Sequence, residues 1–162
     1  MQKRDMLISG WDAAFDKEGW YPPLRAALKN VDYRQSTWKA PGKASHSIGE
    51  LTDHLLYYKK RFLFRLENKT WTSKIDSNDE TFHAKAGGSS ENWEQSVREL
   101  ELVHQKIRKK IIDLSDNDLD SKLPEIAVDA QLLTLIMHDA YHTGQIVFIR
   151  KLYGSWPAVR ET

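Results

Sequence analysis

Cysteine is absent from all 162 residues. That excludes disulfides, thiolate metal ligands and a cysteine nucleophile, and it suits a reducing cytoplasm. Net charge is nearly absent too, since 24 basic residues face 23 acidic ones. Such a balance gives no nucleic-acid footprint and no polybasic membrane surface. No uninterrupted apolar run is long enough to span a bilayer. The start, Met1-Gln2-Lys3-Arg4-Asp5, lacks the apolar stretch of a signal peptide. Internal repeats and low-complexity tracts are also missing. Apolar residues at 40% and charged residues at 29% are the proportions of a soluble globular protein. The length suits one domain, read here as 1–162.

What the chain does contain is concentrated in His138-Asp139-Ala140-Tyr141-His142-Thr143-Gly144-Gln145-Ile146. Around the two histidines runs an apolar pattern of Leu132, Leu135, Ile146, Ile149 and Leu152. Steps of three and four mean one face of a helix, so His138 and His142 sit one above the other on its inward side. Residues so spaced have Cβ atoms roughly 6 Å apart, close enough for both rings to bind one ion. A third histidine, His54, follows Leu51 by three residues and precedes Tyr58 by four, so it too faces inward.

Taken in order, Leu7, Trp11, Ala14 and Phe15 form a first helical stripe, interrupted at Gly19. Pro22-Pro23 restarts the chain at a helix's first turn, and Leu24, Ala27, Leu28 and Val31 continue the apolar face. This reads as one long helix, kinked or broken near Gly19, with Trp11 and Trp20 as core or lid packing. Residues 32–46 carry turn chemistry, including Pro41-Gly42, and His46 is expected to be a solvated loop residue. Ser47 and Glu50 have capping-box spacing and open a helix striped by Ile48, Leu51, Leu55, Tyr58, Phe62 and Leu66. Residues 68–89 show no period, yet Trp71, Ile75 and Phe82 suggest a segment that packs down as a cover, with His83 exposed. Ser89 or Ser90 caps the next helix, striped by Trp93, Val97, Leu100, Val103, Ile107, Ile111 and Leu114. His104 lies near its inner face and reads as a satisfied interior or boundary histidine. Leu114-Ser115-Asp116-Asn117-Asp118 ends that helix, and Pro124 sits in the linker beyond. The last helix runs from about Val128 to Tyr153, where Gly154 and Pro157 stop it.

Four long amphipathic segments, no convincing strand and one long crossover loop predict an all-α four-helix bundle. Bundles build ligand and metal sites from side chains on facing helices. Three neutral imidazoles, one from the second long helix and two from the fourth, would cap one side of a divalent ion. Three protein ligands leave a position open for water or substrate, as in catalytic sites. Imidazole suits zinc, nickel, iron and copper, with zinc or nickel the first expectation. Residues able to hold the far ring nitrogens are Asp53, Asp139, Glu50, Tyr58, Tyr141 and Gln145, and the sequence does not choose among them. One rival reads His138-Asp139-Ala140-Tyr141-His142 as an altered H-E-x-x-H motif, but aspartate replaces the general base and too little chain follows to supply a third ligand.

The motif His138-x-x-Tyr141-His142-x-Gly144-Gln145-Ile146 resembles the C-terminal signature of the DinB/YfiT-like superfamily of bacterial four-helix-bundle metalloproteins. Trp38-x-x-Pro41-Gly42 and Ser47-Ile48-x-Glu50-Leu51-x-x-His54 are similar to its second-helix segment. Gly19-Trp20-x-x-x-Leu24-Arg25-x-Ala27-Leu28 is compatible with its first-helix region. The resemblance implies an up-down-down-up bundle, His54, His138 and His142 as the metal ligands, and a homodimer. Tyr57, Phe62 and Phe64 add apolar surface beyond one stripe. Relatives include S-transferases and isomerases that use bacillithiol, mycothiol or glutathione, and hydrolase-like metalloproteins. Two functions follow. One is a metal-dependent enzyme, of thiol-transfer or hydrolytic type, acting on a small molecule, with a low-molecular-weight thiol such as bacillithiol as a candidate cofactor. The other is a non-catalytic, stress-associated module whose metal staples two helices. The catalytic and thiol-recognising residues are not identified. Metal affinity is expected to fall below pH of roughly 6, near the free histidine pKa.

Overall fold

The computed structural model describes residues 2–82 and 88–159, and all its regular elements are helical. The α-helices are Lys3–Phe15 (α1), Leu24–Leu28 (α2), Tyr33–Thr37 (α3), Ile48–Leu66 (α4), Ser90–Asp113 (α5), Asp116–Asp120 (α6) and Val128–Tyr153 (α7). A 3₁₀ turn, Asp79–Phe82, lies between α4 and α5. The reading of His83 lies outside the described residues.

Local chemistry sets the ends. At α4 the capping box is complete: Glu50 N–H donates to Ser47 Oγ (3.2 Å) and Ser47 N–H donates to Glu50 Oε2 (2.8 Å). Ser89 accepts from Asn92 N–H (3.1 Å) and opens α5. Gly154 closes α7 at φ 84°, the left-handed conformation that glycine adopts without a Cβ penalty. The expected break near Gly19 is complete, leaving α1 and α2 as separate helices. Two short helices went unseen because five residues are too few to show a period. Asp32 caps α3 by accepting from Gln35 N–H (2.8 Å). A second capping box, Ser115 with Asp118, opens α6.

Two sequence expectations fail. Trp20 is fully exposed, not packed. It lies in the irregular link between α1 and α2, so no helix turns it inward. Leu152 is half exposed. Two successive steps of three from Ile146 rotate it about 120° away from the inner face. Tyr153 takes its place, edge-on to Trp38 at 5.6 Å.

Helix α1 runs beside α7 in the same direction. Lys3 reaches Asp129 (2.9 Å). Further along, Gly10 meets Ile136 so closely that a Cβ would stand 3.2 Å from its Cδ1. Helix α5 opposes α1: Arg4 reaches the Leu114 carbonyl, and Arg108 grips both oxygens of Asp12 at 2.6 and 2.9 Å. Helix α4 opposes α7, with Arg65 donating to Gln131 Oε1 (2.9 Å) at one end and the histidines meeting at the other. Between them lies an apolar core that includes Trp11, Leu51, Leu55, Leu100, Ile107, Leu132 and Ile146.

That core also holds a charge pair. Lys59 on α4 is wholly buried, and its Nζ lies 2.6 Å from Asp139 Oδ2 on α7. The ammonium also sits 4.1 Å from the Trp11 ring centroid, a cation–π contact. Burial pushes the Lys59 pKa down and the Asp139 pKa up, and their mutual attraction opposes both shifts. Removing one member leaves the other charge buried without its partner. Asp139→Ala should therefore cost about 3–5 kcal/mol in urea unfolding. The combined variant Lys59→Met with Asp139→Leu should cost less than either single truncation. Additive losses would show that the pair is not the unit of stability.

Candidate metal centre

The cap at Ser47 fixes where α4 begins, and two turns later His54 points inward among Leu51, Leu55 and α7. On α7, His138 and His142 lie one turn apart. Their Nε2 atoms are 3.1 Å from each other, and His54 Nε2 is 2.8 Å from that of His138. Ligand atoms of the three all fall within 4.8 Å of one another. His54 and His142 are buried, and His138 is half buried.

The far ring nitrogens decide what those Nε2 atoms present. His54 Nδ1 lies 2.5 Å from Thr81 Oγ1. The Thr81 hydroxyl already donates its one hydrogen to the Asn78 carbonyl (2.5 Å). Thr81 can only accept from His54, so Nδ1 carries the proton and Nε2 is a bare lone pair. His142 Nδ1 lies 2.6 Å from Gln145 Oε1, and the same amide's nitrogen donates to the Tyr141 hydroxyl (3.3 Å). In that arrangement Oε1 accepts, so His142 also holds its proton on Nδ1 and presents a bare Nε2. His138 Nε2 carries at most one hydrogen between two such lone pairs. Electron-rich nitrogens therefore converge with too few protons among them. A divalent cation fits that donor set, because imidazole binds metal as a neutral lone-pair donor.

Aromatic rings wall the trio. Phe82 stacks on His54 at 3.8 Å, and His46 stacks on Phe82 at 3.9 Å. Tyr58 meets His54 and His138 edge-on, and its hydroxyl donates to Asn78 Oδ1 (2.8 Å). The 3₁₀ segment is thus tied to α4 twice, through Asn78 to Tyr58 and through Thr81 to His54. The irregular segment packs down as expected: Phe82 covers the site, and Trp71 stacks edge-on against Tyr57 and Phe64. His46 joins this stack instead of standing as a free loop residue. Burial first, then the neighbouring imidazoles, holds His54 at about 3 and His138 at about 4. Burial lowers His142 as well. All three are neutral near pH 7, the form that coordinates.

Of the residues expected to hold the far nitrogens, Gln145 does so. Glu50 is engaged in the helix cap and with Lys39 (2.6 Å). Tyr58 and Tyr141 contribute ring contacts, and Asp53 is half buried on α4. Asp139 faces Lys59, which also rules it out as the general base of an H-E-x-x-H-type site. Thr81 went unrecognised, since a hydroxyl in a stretch without periodicity gives no signal. His104 stands apart from the trio. It is stacked on Trp11 (4.6 Å) and Phe15 (4.0 Å), with Nδ1 3.3 Å from Lys59 Nζ. Burial, reinforced by Lys59, pushes its pKa far below the ordinary value. It is interior as expected, but it is satisfied only at Nδ1, since Nε2 is buried without a hydrogen-bond partner.

No curated protein and no solved structure matches the chain. The family model of the DinB superfamily matches residues 21–146. That span covers well over half of the sequence. It includes all of α4, all three converging histidines, and Thr81 and Gln145 behind them. The chain belongs to the DinB superfamily.

Proposed function

We propose that His54, His138 and His142 hold one divalent metal ion, zinc or nickel, in a metal-dependent enzyme acting on a small molecule. The observation that carries the reading is the pair of bare Nε2 lone pairs facing a third imidazole nitrogen. Half-buried His138 and exposed Tyr141 put the trio close to solvent, which favours a reactive centre over a closed staple. When bound, a metal with three protein ligands lowers the pKa of a coordinated water or holds a thiol as thiolate. Thr81 and Gln145 keep the imidazole protons on Nδ1 and fix the ring planes. Phe82 excludes water from one side of His54. Thiol S-transfer, with a low-molecular-weight thiol such as bacillithiol, and metal-assisted hydrolysis both suit this arrangement. A thiol cofactor would provide the nucleophile that a cysteine-free chain lacks. The directions of the long helices support a single-domain four-helix bundle with up-down-down-up topology. A cytoplasmic location fits the lack of cysteine. The second reading is a non-catalytic module in which the ion joins α4 to α7, favoured by the burial of His54 and His142.

Cobalt titration separates the two. The enzyme reading expects about one ion per chain and a thiolate-to-cobalt charge-transfer band on adding a small thiol. A closed staple gives no such band. His54→Ala should strip most of the affinity, since two histidines on one helix chelate weakly. The fold should survive, with a cavity cost of about 1–3 kcal/mol at most. Thr81→Ala should weaken binding by about 10- to 100-fold while leaving all three ligands in place. Full metal occupancy in His54→Ala would remove that residue from the site.

The pH dependence has a definite sign. Unfolded imidazoles titrate near 6.5, by the usual value for histidine, whereas folded His54 and His138 titrate at about 3 and about 4. Between those limits the unfolded chain binds more protons. Stability of the metal-free protein is therefore full above about 6.5 and falls as the pH drops towards 4. Protons compete for the folded site only near its own lowered values. Metal affinity should thus persist below the expected onset near pH 6. Urea unfolding and zinc binding, both measured from pH 8 to pH 4, check this. Rising stability on acidification would contradict it.

A further inference from the structure

Among the described residues, the aspartates, lysines and arginines that are buried are Asp12, Lys59, Asp139 and Arg150. Three of them have an opposite charge beside them. Asp12 meets Arg108 and Lys17, and Lys59 meets Asp139. Arg150 differs. It is 5% exposed, burial lowers its pKa, and no carboxylate among the described residues opposes that shift. Buried charges are ordinarily paired, because taking a lone ion out of water is costly.

Backbone oxygens hold the Arg150 guanidinium in place. Nη1 donates to the Ala27 carbonyl (2.9 Å), Nη2 to the Ser155 carbonyl (2.9 Å) and Nε to Ser155 Oγ (3.5 Å). Ala27 lies in the last turn of α2, where carbonyls lack helical partners. Ser155 is folded back by its own N–H, which donates to the Arg150 carbonyl (2.8 Å). The Trp156 ring centroid lies 5.0 Å from the guanidinium carbon. These contacts fix the guanidinium without neutralising it. They use three of its five N–H groups, which leaves two.

Arg150 forms part of the wall of a cleft of about 650 Å³ between α2, α3 and the segment after α7. That volume suits a small organic ligand. Pro22, Ala26, Trp156 and Pro157 make much of the wall apolar, and Lys29 stands at its exposed edge. Glu18, also in the wall, has a partner of its own. One buried cation matches one negative charge. It lies in the last turn of α7, where the helix dipole disfavours a second. The wall thus suits a monoanion with an apolar body better than a phosphate. A guanidinium already held in position loses little freedom when it takes a carboxylate by charge-assisted hydrogen bonds.

We propose that this cleft binds a small monocarboxylate with an aryl or alkyl body, its carboxylate on Arg150 and its body against Trp156 and the prolines. The site is separate from the histidine centre. It shares no residue with the trio, and Arg150 stands eight residues past His142, about 12 Å along the helix. The proposal therefore does not rest on the metal reading.

NMR titration of the full chain with phenylacetate near pH 7 tests it. One molecule per chain is expected, with a Kd below about 1 mM. Phenylacetamide, similar in shape but neutral, should bind about tenfold more weakly or worse, and so should inorganic phosphate. Arg150→Gln should weaken phenylacetate binding by about tenfold or more. Ala26→Phe, which fills the cleft and keeps Arg150, should do the same, and it decides the matter if Arg150→Gln does not fold. A wild type that takes up no phenylacetate overturns the proposal. So does binding that Ala26→Phe or a folded Arg150→Gln leaves intact. Phosphate or the amide binding as tightly as the carboxylate overturns it as well.

Discussion

The contact on which the histidine cluster depends is the buried ion pair between Lys59 and Asp139, 2.6 Å apart. Lys59 stands five residues after His54 on α4, and Asp139 directly follows His138 on α7. The pair therefore fixes the two histidine-bearing helices to each other beside the trio. A buried ion pair is a costly fastener, since desolvation offsets much of the attraction. Its value here is geometric: Nζ and the carboxylate meet only while α4 and α7 keep this register beside the trio. Trp11 and His104 enclose the ammonium from α1 and α5, so all four long helices meet around one charge.

The 3₁₀ turn completes what the helices begin. Helices alone bring three imidazoles together but leave open which nitrogen of each carries the proton. Thr81 and Gln145 settle that for His54 and His142. Phe82, stacked between His46 and His54, roofs the centre with carbon. A segment without regular period thus sets the chemistry of the most regular part of the chain.

Much of this was legible in the sequence. Apolar steps of three and four located α4, α5 and α7 and put the three histidines on inward faces. The Ser47–Glu50 spacing marked the start of α4, and Gly154 the end of α7. What escaped had no period to reveal it. Thr81 acts through one hydroxyl whose partner is 27 residues away. Lys59 occupies an inward position that its charge argued against, because the compensating Asp139 lies 80 residues on. Asp139 itself was expected to serve the site and instead serves Lys59. Trp20 was assigned to packing on residue type, yet it sits where no element turns it inward. On α7, counting apolar residues obscured a distinction: one stripe faces the core, while the opposite one is equally apolar and exposed.

Everything functional rests on two bare Nε2 atoms facing a third imidazole. Long-range ¹H–¹⁵N correlation of the histidine rings in the metal-free protein near neutral pH reads this directly, because each tautomer has its own pattern of nitrogen shifts. His54 and His142 should both appear as neutral Nδ1–H forms, with a pyridine-like Nε2 whose shift moves when zinc is added. An Nε2–H tautomer at either residue, or Nε2 shifts that zinc leaves unchanged, would contradict the assignment of this cluster as a metal centre.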